Sequence, residues 1–520
     1  MSAPSPGVRP AVRRTPVLAV LALLAVALGG LVLVRAGSGL TTRQVTVAGV
    51  PLTEIRATPA SADTRRPGVV IAHGFAGSAR LMRPIADTVA RHGGVAVLLD
   101  FAGHGANPAR LPGAGRDAAA GRDTLERDLD VAVAHLRTLP DVDPDRIVLV
   151  GHSMGAGAVT RYAGGHPEIA GTVAISLPDA ADLPYGRPRS LVLVVGDAEF
   201  PDFRRTAEEA VRRAPAGARR LVVVPGTEHI SVLFAGRTHD AVLGALPGAP
   251  DDPRPEPAAR LVGGGLLLVG FGLGFVPLVA LLFRRPSGGG GTAGSGPRGS
   301  RVVPAWSSLS LAVLAAGPGA VVAGALPTAR LPLAVGGYVT GFLLVTGLLL
   351  AAAHRWRTRR AATGPAAAVE CPPDEPVAQC PPVRTVVAVA VLSGYALVAV
   401  AVPIHLGLTS ALPVGARWWL LPLVALGCLV FLLGAELAAR GRAWVHAAVG
   451  ATAVLALTAS AMVGLAPGFV VLVVPLFALL LGWQAAWAVT LRRAGAPRWL
   501  PALVGAVLLA WPLTTTLPLT

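Results

Sequence analysis

The chain has 520 residues, of which 53% are hydrophobic and only 14% charged, and this excludes an ordinary soluble protein, where about a quarter of residues carry charge. Its net charge of +16 does not describe a basic domain: residues 36–258 hold 25 of the 29 acidic residues and 24 of the 45 basic ones, which implies no nucleic-acid partner. The other 21 arginines lie in or beside long apolar runs, where they read as membrane-topology signals.

Residues 1–16 read as a cytoplasmic N-terminus. Val17–Val34 is an unbroken apolar run behind Arg9, Arg13 and Arg14. It is long enough to cross a bilayer and longer than a signal-peptide core, so residues 17–35 are expected to be an uncleaved transmembrane anchor. From 36 to 247 the composition turns soluble and contains no cysteine. Short β-branched runs, clearest at Val69–Ala72, Val95–Leu99, Ile147–Val150, Thr172–Ile175, Leu191–Val195 and Leu221–Val224, alternate with helix-like stretches. That pattern predicts an α/β fold around a doubly wound, mostly parallel sheet whose strands are buried on both faces.

Gly151-His152-Ser153-Met154-Gly155 follows the strand ending at Val150 and opens the helix-like Ala156–Ala163. A G-x-S-x-G placed between strand and helix is a nucleophile elbow: the turn lifts the serine Oγ clear of the sheet, and glycines remove Cβ atoms that would collide in it. The helix behind Ser153 aims N–H groups and a partial positive charge at a developing oxyanion. In these residues the stretch 43–247 resembles the α/β-hydrolase superfamily. By that resemblance, His73-Gly74-Phe75-Ala76-Gly77 is similar to the family's oxyanion segment, which implies an oxyanion hole made by the backbone N–H groups of Phe75 and Met154. Asp100-Phe101-Ala102-Gly103-His104-Gly105 is similar to the D-x-x-G-H-G turn of many members.

The resemblance also implies a triad in the order serine, acid, histidine. The family's acid position, three residues beyond Gly196, is held here by Glu199; an aspartate is more usual there, which keeps Asp197 and Asp202 as alternatives. Pro225-Gly226-Thr227-Glu228-His229 is similar to the final histidine loop, so His229 would be the general base and acid for Ser153. His73 and His152 are expected to shape their loops, and His104 is weighed as a residue lining the site. His92, His135 and His166 read as surface residues, and the pairs Arg204–Arg205 and Arg219–Arg220 as solvated faces. Ser176–Ser190 leaves only a short loop where many hydrolases insert a cap, so the site is expected to be open. No metal-ligand spacing and no phosphate-cradling loop appears, which points to neither a metal nor a cofactor.

Residues 248–260 form a Pro-rich linker, and 261–517 a membrane domain of about eight helices with a flexible loop at 286–300. Its apolar runs are 261–283, 302–326, 331–353, 385–405, 418–438, 444–466, 468–490 and 499–517. Arginines cluster after every second span, at Arg284–Arg285, Arg355–Arg360, Arg440–Arg442 and Arg492–Arg498, whereas the opposite loops hold little beyond Arg330 and Arg417. That alternation predicts an N-terminus inside and residues 36–258 outside. Glu436, the one acid within a span, is expected to pair with Arg440 a helical turn later. Cys371 and Cys380 are expected to be free thiols in a cytoplasmic loop.

Together these features imply a multi-pass cell-membrane protein carrying an extracytoplasmic serine hydrolase. It would cleave a carboxylic ester, thioester or amide through an acyl-enzyme, on an acyl-containing substrate such as a lipid or a cell-envelope component. Two alternatives stay open: an acyltransferase to a lipid or envelope acceptor, and a non-catalytic ligand-binding domain of a membrane transporter or sensor.

Overall fold

After a first helix, α1 (Ala11–Gly37), the chain builds one eight-stranded sheet from β1 (Leu40–Val47), β2 (Val50–Ala57), β3 (Arg66–Ala72), β4 (Val95–Leu99), β5 (Val142–His152), β6 (Gly171–Ile175), β7 (Leu191–Gly196) and β8 (Arg219–Val224). The strand order is β1-β2-β4-β3-β5-β6-β7-β8. β1 and β2 pair antiparallel with each other, as do β2 and β4; every other pair is parallel. The connecting helices are α2 (Arg83–Arg91), α3 (Ala118–Thr138), α4 (Met154–Gly165), α5 (Pro201–Arg212) and α6 (Gly236–Leu243). The computed structural model describes residues 11–58, 65–112, 118–247, 256–283, 305–362 and 382–520. Most of the linker 248–260, the whole loop 286–300, and Cys371 and Cys380 lie outside them.

Alternating side chains put the strands' apolar residues on two faces. Val69, Ile71, Val148, Val150, Val173 and Val194 pack with α2 and α6, while Val70, Ala72, Val97, Leu99 and Leu149 pack with α3 and α4. Each such side chain withdrawn from water contributes about 1.5–3 kcal/mol. β8 departs from the expectation of burial on both faces: Leu221, Val222 and Val223 are only half-buried because β8 closes one edge of the sheet.

Several residues read as solvated are not. His92 is buried and its Nδ1–H donates to the Thr88 carbonyl (2.9 Å). His135 Nε2 lies 3.0 Å from the buried Glu54, which also takes Arg56 at 2.6 Å. The half-buried His166 stacks on Tyr162 at 3.9 Å. Arg219 is buried and donates to the carbonyls of Ala210, Pro184 and Arg187. His92 and His166 find their partners one helical turn back, whereas tertiary packing brings Glu54 to His135 and the Pro184 and Arg187 carbonyls to Arg219.

The chain divides into two compact units. The unit holding the sheet comprises Ala27–Leu267, Ala401–Trp418 and Thr515–Thr520. Within it, α7 (Ala259–Leu282) starts with Arg260 bound to Asp87 of α2 at 2.6 Å. The two later stretches are hydrogen-bonded to loops of the sheet: the Thr409 and Ser78 hydroxyls meet at 2.8 Å, and the Leu519 N–H donates to the Gly103 carbonyl at 2.8 Å.

The other unit comprises Met1–Val26, Leu268–Val400 and Trp419–Thr514. It is built from parts of α1, α7, α8 (Ala305–Ala325), α9 (Gly336–Ala362), α10 (Pro382–Gly407), α11 (Arg417–Ala439), α12 (Ala443–Met462), α13 (Val470–Arg493) and α14 (Leu500–Thr516). Among the described residues eight helices are long and apolar enough to cross a membrane, and the ninth expected span, Leu500–Thr516, is shorter. Large apolar side chains such as Leu23 (70%), Leu314 (70%) and Leu455 (69%) are exposed, as suits helices whose surroundings are hydrocarbon. Glu436 pairs with Arg492 (2.6 Å) and lies 3.4 Å from His446. The expected partner Arg440 is exposed and sits past the helix end at positive φ (49°), while Arg492 comes from the last turn of α13.

Candidate active site

Ser153 occupies the step from β5 into α4 with φ 51° and ψ −116°, a conformation costing an L-residue roughly 1–3 kcal/mol. The surroundings hold it there. Its N–H donates to the Ile175 carbonyl of β6 (2.8 Å), and its own carbonyl accepts from Gly157 (3.1 Å). Gly155 allows the turn to close, since a Cβ there would stand 2.5 Å from the Ala72 carbonyl oxygen. Met154 is the first residue of α4, where backbone N–H groups have no partner within the helix.

His229 lies in the loop after β8, and its Nε2 is 3.2 Å from the Ser153 Oγ. On the other side of the ring, Nδ1 is 3.2 Å from Glu199 Oε2. The second oxygen of Glu199 accepts from the Ser176 hydroxyl and from the Gly196 N–H, each at 2.8 Å. Only 1% of the Glu199 side chain is exposed. Two donors thus orient a buried carboxylate toward one imidazole, as a base–orienter pair requires.

The alternatives stand elsewhere. Asp197 Oδ1 accepts from the Gly226 N–H at 2.7 Å, which ties it to the loop after β8, and Asp202 is exposed and paired with Arg205. Two contributors have no local sequence signal. Ser176 arrives from the end of β6, and Phe203 of α5 stacks on the His229 ring at 4.7 Å.

His152 holds the histidine loop from the nucleophile's side, its Nε2–H donating to the His229 carbonyl at 2.9 Å. Burial, with the neighbouring His229 adding to it, pushes the His152 pKa down to about 3, so the ring remains a neutral, fixed donor. Across Ser153, Gly74 lies so close that a Cβ on it would stand 3.1 Å from Ser153 Cβ. This is the His73–Gly77 segment containing Phe75. Its first residue donates through Nδ1–H to the Gly74 carbonyl (2.8 Å) and accepts the Phe101 N–H at Nε2 (3.1 Å). That pattern fixes a neutral tautomer, and burial lowers the pKa of His73. His104 is fully buried against Phe75 and His73, with its pKa held well below normal by burial. It underlies Phe75 and does not open onto solvent.

Two exposed apolar side chains flank Glu199 and His229 in the sequence. Phe200 (56% exposed) adjoins Glu199, Ile230 (37% exposed) adjoins His229, and the connection from β6 to β7 has no helix over residues 176–190. Among the described residues no group of three or more His, Cys, Asp or Glu is placed to hold a metal ion.

Residues 63–229 match the family described as serine aminopeptidase, S33. Over these residues the chain is similar to that family, and its fold is that of an α/β hydrolase. The chain is 33% identical over 99 residues to a Mycobacterium phage D29 protein named as a non-heme haloperoxidase, covering 19% of this chain and 31% of that protein. It is 30% identical over 187 residues to the uncharacterized protein Rv2307c of Mycobacterium tuberculosis, covering 31% of this chain and 63% of the relative. The chain therefore spans less than two thirds of the curated relatives it matches. Among solved structures, the dienelactone hydrolase from Anabaena variabilis is 21% identical, covering 40% of this chain and 96% of its own with a TM-score of 0.31.

Proposed function

We propose that this protein is a membrane-anchored serine hydrolase that cleaves a carboxylic ester, thioester or amide through an acyl-enzyme, with Ser153, His229 and Glu199 as its triad. The observation that carries this reading is the hydrogen-bonded line from Ser153 Oγ through His229 to Glu199, starting on a strained elbow. His229 takes the serine proton as Oγ attacks the acyl carbon, and Glu199 stabilises the imidazolium that forms. The tetrahedral oxyanion is received by the backbone N–H groups of Phe75 and Met154. His229 then returns the proton to the leaving group, and water repeats the sequence to release the acid. The exposed apolar side chains of Phe200 and Ile230 suit an acyl or otherwise apolar group held at the surface.

We further propose that the hydrolase faces the extracytoplasmic side. The arginine alternation assigns residues 36–260, the loop around 406–417 and the stretch after α14 to one side. The hydrogen bonds of Ser78 with Thr409 and of Gly103 with Leu519, which need those stretches on a common side, support it.

A membrane-impermeant fluorophosphonate applied to intact cells tests both parts. Labelling of wild type and none of Ser153→Ala is the expected result. No labelling of folded wild type even after lysis overturns the chemistry, and labelling only after lysis overturns the orientation.

A further inference from the structure

Among the described residues Arg417 is the largest fully buried side chain, at 0% exposure. It begins α11 and would pass for an ordinary arginine flanking a span. Burying a guanidinium is costly unless hydrogen bonds replace its water, and here carbonyls meet both terminal nitrogens while Nε is buried without a partner. Its Nη2 donates to Gly103 (2.8 Å) and Leu517 (3.2 Å), and its Nη1 reaches Gly105 (3.4 Å). The Gly103 carbonyl also accepts the Leu519 N–H (2.8 Å), and the Leu519 carbonyl accepts the Leu111 N–H (2.9 Å). Gly103, at φ 78°, has no room for a Cβ because the Leu519 carbonyl oxygen occupies that space.

The turn held in this way leads straight to the oxyanion segment. Asp100, at its start, accepts the Ala79 N–H (2.7 Å) and the Ala106 N–H (2.9 Å). The Phe101 N–H binds His73 Nε2 (3.1 Å), and His104 of the same turn packs edge-on against the Phe75 ring at 5.8 Å. The stretch before Arg417 grips the segment's other end: Ser78 Oγ meets Thr409 Oγ1 at 2.8 Å and accepts the Ser410 N–H at 3.1 Å.

We infer that Arg417, together with the stretch Leu517–Leu519, is a positioning element for the oxyanion segment. It holds the turn at Gly103 and, through Asp100, Phe101 and His104, sets where the Phe75 N–H points. The hydrolase formed by 36–247 is then incomplete by itself: one wall of its site is braced by Arg417, beyond four further helices (α7–α10), and by Leu517–Leu519, beyond eight (α7–α14). This rests on the serine-hydrolase reading above.

The test uses the full chain purified in detergent, with a p-nitrophenyl ester as substrate and a trifluoromethyl ketone as tetrahedral analogue. Arg417→Met keeps the bulk and removes every donor. It is expected to lower kcat roughly 10- to 100-fold with KM within about twofold, the scale of a displaced catalytic group or a weakened oxyanion donor. Its affinity for the ketone should fall by a similar factor, because that ligand senses the transition state and the substrate KM does not. Arg417→Lys, which keeps one cationic donor, should recover part of both losses. A folded Arg417→Met protein that binds the ketone as wild type does overturns the inference. Should Arg417→Met fail to fold, Leu519→Pro decides: it deletes the N–H that Gly103 accepts, and wild-type ketone affinity there overturns the inference equally. If wild type itself neither labels at Ser153 nor turns over, the serine-hydrolase reading falls, a different outcome from a variant that matches an active wild type.

Discussion

The two sides of Ser153 are held by different means. On one, Glu199 and His229 are fixed by Ser176, Gly196, Phe203 and His152, all drawn from the strand ends and helices of the sheet itself. On the other, the segment from His73 to Ser78 leans on Asp100 to His104, and that turn leans on Arg417 and Leu519. On the proposed mechanism, the proton-transfer side is built by the hydrolase stretch alone, and the side that would face the oxyanion borrows its support from chain made much later. Proton transfer tolerates little freedom in ring tautomer and direction, so short, local restraints serve it; a backbone N–H is aimed by the path of a whole loop, which a distant brace can set.

Mutations can break this comparison in graded steps. The largest effect is expected from Ser153→Ala, which should lower ester turnover by about 10⁴-fold or more, the loss typical of removing a triad nucleophile. Glu199→Gln should cost about 10³- to 10⁴-fold in kcat by presenting the wrong partner to His229 Nδ1, whereas Asp197→Asn and Asp202→Asn should remain within about twofold. Steady-state kinetics on the four proteins checks this, and a loss centred on Asp197 would reassign the acid. Ser176→Ala removes one of two donors to Glu199 Oε1 and should cost roughly 10-fold, in line with a lost hydrogen bond to a charged group. Its effect should add to that of Arg417→Met if the two sides are independent, and strong coupling in the double mutant would dissolve the distinction drawn here.

The smallest effect concerns acid stability. His152 titrates in the folded protein at about 3, and burial likewise lowers His73 and His104. An unfolded chain takes up these protons near pH 6.5 and the folded one does not. The stability these groups preserve is therefore complete above about pH 6.5 and falls with pH below it; for His152 the loss runs down to about pH 3, by up to ~1.4 kcal/mol per pH unit. Thermal unfolding of wild type and His152→Gln across that window should show a shallower acid slope in the variant. Equal slopes would refute the assignment.

Much of the sheet is legible in the sequence because buried parallel strands must be continuous β-branched runs, as at Val69–Ala72 and Leu191–Val195. The hairpin of β1 and β2 is not. Its two-residue turn is Ala48-Gly49, both at positive φ (47° and 83°), in place of the Asn-Gly or Asp-Gly that usually announces such a turn. β1 is also largely exposed, and β2 contains Pro51. Within the site, Ser153 and His229 stand in local motifs that a reader can find. Ser176 and Phe203 reach the acid and the imidazole only through the neighbouring strand order and the packing of α5, and nothing in their own surroundings in the sequence marks them. Arg417 misleads more actively: its position at a span end suggests topology, while its hydrogen bonds serve the turn at Gly103.

Leu519 also imposes an order of events. It is synthesised roughly 270 residues after Pro247, and at about 5–20 residues per second a ribosome needs some 15–50 s to cover that distance. Throughout this interval the strands and the elbow can form, but the Gly103 carbonyl has no Leu519 to meet, and until Arg417 is made, roughly 170 residues after Pro247, it lacks that donor as well. The brace closes only once α7 to α14 have been made and the stretch after α14 has come back to the sheet. Hydrolytic competence in a newly made chain would thus mark the completion of membrane assembly, and a molecule stalled partway would carry a nucleophile with its oxyanion wall unbraced.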